Sequence, residues 1–180
     1  SIGVHVAFQD STPMVLLVGQ VAADQRDREA FQEIDYRQMF GPGTLGLAKW
    51  VGEVHSADRL PEYLARAFRT AMQGRPGPVV LALPEDMLAE LCAVPDAARY
   101  QRAQAHPGAA ELAQMREILA QAERPLMIVG GGDWSPEASA DIRAFAAASR
   151  LPAVAAFRAQ DIVDNRADCY AGALGVGSSP

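Results

Sequence analysis

The chain has 180 residues, 49% of them apolar and 21% charged, and a net charge of −6. At roughly 150 residues per domain this length holds one full domain or two partial ones, and the composition excludes a disordered tail, a collagen-like fibre and a coiled coil. No apolar run nears the ~18 residues of a membrane span, and an acidic chain gains nothing from a phosphate backbone, so neither membrane nor nucleic acid is an expected partner.

Ser1 stands in helix-like sequence with no initiator Met and no signal peptide, so the chain is expected to begin at a cut. Ile2–Asp10 reads as the end of a helix, with Val4, Ala7 and Phe8 on one face. The run from Asp10 to Pro13 breaks it. Met14–Val18 is a continuous apolar run, hence a buried strand, and Gly19-Gln20 ends it. A polar segment and the cluster Ala30-Phe-Gln-Glu-Ile-Asp35 follow, then the glycine-rich Gly41–Gly46. Ala48–Val54 reads as a short strand. Asp58–Met72 is amphipathic, with Leu60, Leu64, Ala67, Phe68 and Ala71 on one stripe. Ser56 or Asp58 is placed to cap it and Gly74 to stop it. Pro78–Leu83 is a second buried strand.

From Glu85 to Gly108 there is no sustained period, and this stretch reads as a linker between domains. A second α/β pattern then begins. Ala110–Ala122 is helical, with Leu112, Met115, Ile118 and Leu119 spaced for one face. Pro125–Val129 is a strand closed by Gly130-Gly131-Gly132. Ser135–Ser149 is a helix with Ser135 as N-cap, Pro136 in its first turn and Glu137 beside it. Leu151–Phe157 is another strand. Strands that alternate with helices and lack polar alternation predict an α/β fold. The expectation is parallel sheets with flanking helices, in two partial three-layer domains.

Three places carry candidate chemistry. Gly130, Gly131 and Gly132 lie between a strand and a helix, where a backbone can approach a phosphate. The spacing is not G-x-G-x-x-G and Asp133 follows, so a plain strand-to-helix turn stays open. Arg75 projects from the rigid turn Gly74–Pro78 as a forked donor for phosphate or carboxylate, or as a surface arginine. Phe31 and Gln32, with Glu33 and Asp35, follow a glycine-ended strand. Loops at strand C-termini line the crevice of open α/β sheets, with a solvated loop as the alternative. His5, His55, His106, Cys92 and Cys169 are scattered and predict no metal site. The two cysteines read as reduced thiols of a cytoplasmic protein. No nucleophile elbow and no P-loop is present.

Taken in order, these residues resemble a family. Ala7-Phe-Gln-Asp-Ser-Thr-Pro13, Leu17-Val-Gly-Gln20, Ala30-Phe-Gln-Glu33, Lys49-Trp50, Gly74-Arg-Pro-Gly-Pro-Val79 and Leu83-Pro84 look like the acetolactate synthase branch of thiamine-diphosphate-dependent enzymes. Arg124-Pro125 through the three glycines to Leu151-Pro152 is similar to the start of that family's central domain. The chain departs from the pattern at Ala22, at Glu85-Asp86 and in an apparent insertion over Gly43–Gly46.

The resemblance implies that residues 1–88 are the C-terminal part of the pyrimidine-binding domain. Residues 89–108 would be a linker, and 109–180 the start of the central, nucleotide-binding-like domain. It implies thiamine diphosphate and Mg²⁺ in the full-length parent, with FAD or ADP as the central-domain nucleotide. It implies catalytic positions at Phe31 and Gln32, facing the thiazolium, and FAD contacts at Arg75 and Gly130–Gly132. The parent is expected to be a transferase or lyase that decarboxylates a 2-oxo acid and ligates the resulting enamine to a second carbonyl compound. A dimer or tetramer goes with this. The activating glutamate and the metal motif are expected outside these residues, so the piece alone is expected to be inactive. The other class of reading is a non-catalytic nucleotide-binding or oligomerisation module.

Overall fold

The computed structural model describes residues 1–43, 46–132 and 134–175. The insertion expected over Gly43–Gly46 falls partly outside them, as does Asp133. Two compact units divide the chain, Ser1–Gln104 and Ala105–Pro180.

In the first unit, α1 (Ile2–Gln9) leads to β1 (Met14–Gln20). Then come α2 (Tyr36–Phe40), β2 (Trp50–Glu53), α3 (Leu60–Met72), β3 (Pro78–Pro84) and α4 (Glu85–Leu88). The strands are parallel in the order β1-β3-β2. The central strand β3 is buried almost throughout, because both its faces are covered. Val80 packs with Val4 and Phe40 of α1 and α2 on one face. Val79 and Leu81 meet Ala67 and Ala71 of α3 on the other. That is why its sequence shows a continuous apolar run and no alternation.

The Lys49-Trp50 pair docks α3. Lys49 Nζ donates to the Gln73 carbonyl just past the helix, 2.5 Å away. Trp50 stacks on Tyr63 at 5.8 Å, and the Arg66 guanidinium lies 4.2 Å from the Trp50 ring centroid. Phe68, expected on the buried stripe, is instead 47% exposed. Tyr63, Leu64, Ala67 and Ala71 already fill the contact with the sheet, and Phe68 sits at its shoulder.

Several boundaries differ from expectation for local reasons. Neither Ser56 nor Asp58 caps α3: a short 3₁₀ turn occupies Ala57–Arg59, Ser56 makes no side-chain capping bond, and Pro61 opens the helix. The stretch read as a linker begins with α4, because Met87 is buried with Val54 and Ala57. Helix α2 escaped notice because it has only five residues. Its signal is Asp35, whose carboxylate accepts the Arg37 and Gln38 amides at 2.9 and 3.0 Å.

In the second unit α5 (Ala109–Gln121), β4 (Met127–Val129), α6 (Pro136–Ser149), β5 (Ala153–Ala156) and β6 (Tyr170–Leu174) form a parallel sheet ordered β4-β5-β6. Val129 and Ala153 pack with Ala159, Ile162 and Val163 on one face. The apolar stripe expected on α5 exists but is uncovered, and no residue of α5 is buried. Strand β5 starts later than expected. Arg150 adopts a left-handed conformation that ends α6, the Leu151 amide closes onto the Ala146 carbonyl, and Pro152 has no amide to give a ladder. Strand β6 was not anticipated, since Tyr170-Ala-Gly-Ala-Leu174 lacks β-branched residues.

Ser135 caps α6 as expected, its hydroxyl accepting the Ala138 amide at 3.0 Å. Ser135→Ala should therefore lower the stability of this unit by about 1 kcal/mol. Thermal denaturation of the variant beside the parent chain checks this.

Candidate functional site

All three strands of the first sheet end at one edge. Gln20 is level with Pro84, and Glu53 with Ala82. Parallel strands open their ligand crevice at this C-terminal edge. A cavity of about 800 Å³ lies there, between the loop after β1 and the start of α4. Its apolar wall includes Val21, Phe31, Ile34, Leu83 and Leu88; its polar lining includes Gln20, Gln25, Gln32, Tyr36 and Glu85. The sequence-derived pair Phe31 and Gln32 thus falls on one cleft.

The cleft's polar groups divide into those already used and those left open. Gln20, buried at the end of β1, donates through Nε2 to the Ile34 carbonyl at 2.7 Å. Its Oε1 accepts the Val21 amide at 3.0 Å. The Tyr36 hydroxyl donates to the Gly19 carbonyl at 3.0 Å. Both are scaffolding that fixes the loop to the strand. Gln32 is exposed and its backbone is left-handed, with φ 69°. Phe31 is 89% exposed, a large ring held in water. An aromatic face beside a free-standing amide can pack against the apolar end of a small molecule and hydrogen-bond its polar end.

Sequence reasoning missed Gln20, Tyr36, Glu85 and Leu88 as lining residues. The signal for Gln20 was a polar residue closing an apolar strand. Asp86 was also missed. Its carboxylate accepts the Ala23 amide at 3.1 Å, so α4 anchors the loop after β1.

Arg75 is engaged elsewhere in the first unit. Its Nε donates to Ser11 Oγ at 2.8 Å and its Nη2 to the carbonyls of Phe8 and Gln9 at 3.0 and 3.2 Å. The guanidinium lies 5.4 Å from the Phe8 ring centroid. Here Arg75 closes the C-terminus of α1, a favourable place for a cation.

The glycine turn belongs to the second unit. Gly131 has φ +80°, which glycine adopts without strain, and a Cβ on Gly130 would meet Ala156 Cβ at 3.0 Å. The Gly130 carbonyl accepts the Trp134 indole N–H at 3.1 Å. At the helix start that follows, Ser135 Oγ takes the Ala138 amide. The Glu137 carboxyl is held below its usual range by its own backbone amide, then by Ser135. Among the described residues no group of three His, Cys, Asp or Glu side chains is arranged to hold a metal, and no helix is long and apolar enough to cross a membrane.

Comparison with known proteins bears on the family and the fold. Residues 112–180 match the family model of the thiamine pyrophosphate enzyme central domain. The acetolactate synthase isozyme 2 large subunit of Escherichia coli is 35% identical over 97% of this chain and 31% of its own length. A glyoxylate carboligase of Escherichia coli is 30% identical over 96% of this chain and 29% of its own. Among solved structures, the benzoylformate decarboxylase of Polynucleobacter necessarius superposes with a TM-score of 0.77. It is 25% identical, over 95% of this chain and 32% of that one. These matches put the chain among the thiamine pyrophosphate enzymes. Within them it is acetolactate synthase-like. It spans about a third of the length of these relatives.

Proposed function

We propose that the protein carrying this chain decarboxylates a 2-oxo acid and joins the resulting fragment to a second carbonyl compound. The reading includes thiamine diphosphate with Mg²⁺ as cofactors, a self-associated dimer or tetramer, and a cytoplasmic location. The observation that carries it is the cleft at the strand ends, with Phe31 and Gln32 on its rim. When bound, thiamine diphosphate supplies the nucleophilic carbon and the electron sink. The protein's part is then orientation and electrostatics.

The chain's own residues fit that part. Phe31, Leu83 and Leu88 give an apolar wall against which the apolar part of a substrate can pack. The Gln32 amide, with both a donor and acceptors, can hold the carbonyl of a second substrate in line. Gln20 and Tyr36 fix the loop so that this amide does not wander. In this proposal residues 1–88 are part of a pyrimidine-binding domain, 89–108 a linker and 109–180 the start of the central domain.

FAD or ADP is the finer proposal, with Gly130–Gly132 of the second unit and, taken separately, Arg75 of the first as its contacts. The residues fit it poorly. At the α6 N-terminus Ser135 Oγ already takes the Ala138 amide, and Glu137 puts a carboxylate in the first turn, which opposes a phosphate there. Arg75 is spent on α1.

The test is carbon dioxide release from a panel of 2-oxo acids by the full-length protein. Release should require added thiamine diphosphate and Mg²⁺, and acyloin or acetohydroxy acid products should appear with a second carbonyl compound. Turnover that is indifferent to thiamine diphosphate would sink the proposal.

A further inference from the structure

We propose that Arg26, clasped between Glu33 and Glu53, is a positioning brace for the loop that carries Phe31 and Gln32. The inference rests on the reading that this loop faces the reaction.

The loop between β1 and α2 is held in an uncommon shape. Three of its non-glycine residues, Asp27, Glu29 and Gln32, have φ of 60°, 56° and 69°. Left-handed backbone at such residues persists only where the surroundings over-determine it. Part of that determination is local. The Glu33 amide donates to the Ala30 carbonyl at 3.1 Å, and Glu33 Oε1 accepts the Asp27 amide at 2.8 Å. The Glu33 carboxylate thereby closes the residues from Asp27 to Glu33 into a ring that contains Phe31 and Gln32.

Arg26 ties that ring to the sheet. Its Nε stands 3.9 Å from Glu33 Oε1, and its Nη2 3.5 Å from Glu53 Oε2. Glu53 ends β2, which lies on the far side of β3 from β1. The guanidinium therefore joins a loop that leaves one edge strand to the end of the other. The two carboxylates are 17% and 12% exposed, so water screens the clasp less than it would a surface pair. Arg26 Nη1 is buried with no partner. A guanidinium placed for its own hydrogen bonding would satisfy that donor; here its place is set by the two carboxylates. His55 Nδ1 is 3.9 Å from the other oxygen of Glu53, at the exposed end of the cluster.

None of the three clasp residues lines the cleft that holds Gln32. Arg26 and Glu53 line a separate polar cavity of about 330 Å³. Their effect on chemistry must pass through the loop, which makes them positioning residues. Arginine matters because its planar fork reaches two carboxylates at once, whereas lysine offers a single point of charge.

The experiment uses the full-length enzyme with Arg26→Met, Arg26→Lys, Glu53→Gln and Gln32→Ala. Arg26→Met should lower kcat for carbon–carbon bond formation on the order of 10-fold and raise the share of free aldehyde, with KM for the 2-oxo acid within about 2-fold. Arg26→Lys should recover part of the loss, and Glu53→Gln should shift the product ratio in the same direction as Arg26→Met. Hydrogen exchange at the Asp27 amide should speed up in Glu53→Gln, a shape-conserving change that keeps the proposal open to test if Arg26→Met does not fold. Wild-type product ratio and exchange in the Arg26 and Glu53 variants, while Gln32→Ala alters the products, overturns the brace and leaves the cleft reading standing. If Gln32→Ala is silent too, the cleft reading fails, and the brace with it.

Discussion

Leu81→Ala is expected to destabilise the first unit by about 2–5 kcal/mol. Leu81 is the middle of the central strand and is fully buried. It belongs to the buried cluster with Ala67 and Ala71 of α3 and Val79, against which Val15, Trp50, Tyr63 and Leu64 pack. One of its methyl carbons lies 3.1 Å from where a Cβ on Gly52 would sit, so the neighbouring strand comes close around it. The sheet and helix around the site cannot collapse onto the vacated space without moving β2, so a cavity remains. Leu17 is the control. It is paired with Leu81 in register on β1, yet it is 51% exposed. Leu17→Ala should cost about 0.5 kcal/mol, as surface changes do. Urea denaturation in a Trp134→Phe background checks both, because Trp50 then reports on the first unit alone. The midpoint should fall in Leu81→Ala with the slope unchanged. Equal losses from the two leucines would show that β3 is not the centre of the core.

The elements that could be read in the sequence were those whose signal is continuous or periodic. β1 and β3 both announce themselves as apolar runs, but only the central β3 is buried as its run predicts; β1 is an edge strand, and its Leu17 is 51% exposed. α3 and α6 show amphipathic spacing or a cap with proline behind it. What could not be read depends on neighbours. Tyr36–Phe40 is too short to show a period, and Tyr170–Leu174 is too poor in β-branched residues to read as a strand. The stripe on α5 was legible as a pattern, but whether anything covers it is not a property of the helix. The cleft divides in the same way. Phe31 and Gln32 were found because they follow a glycine-ended strand, a place where loops bear function. Gln20, Asp86 and Arg26 were not, because their partners are distant in sequence. Gln20 meets Ile34, Asp86 meets Ala23, and Arg26 meets Glu53 on another strand. A single polar residue has no period, so only the fold reveals its role. Arg75 is the converse case. Its rigid turn was legible, but its partners on α1 were not.

Gln32→Ala in the full-length enzyme should lower the rate of carbon–carbon bond formation by about 10²-fold, or divert most product to free aldehyde, while leaving the fold intact. Gln32 is exposed and makes no hydrogen bond to the rest of the described chain, so truncation removes no buried contact. Its left-handed φ of 69° is held by the bonds of Gln20, Glu33 and Asp35 around it and not by its own side chain. Alanine and glutamine are strained alike at that φ, so the melting temperature should stay within about 2 °C. An amide that orients a second substrate acts after decarboxylation, when water and the acceptor compete for the same reacting centre. Removing it should spare carbon dioxide release and penalise ligation. Gln32→Asn separates position from chemistry. It keeps the amide, tolerates the left-handed backbone better than most residues, and shortens the reach by one methylene. Its product ratio should fall between those of the parent and Gln32→Ala. A Gln32→Ala enzyme that ligates at the parent rate and ratio would remove Gln32 from the reaction, and with it the reading of this cleft as the place of ligation.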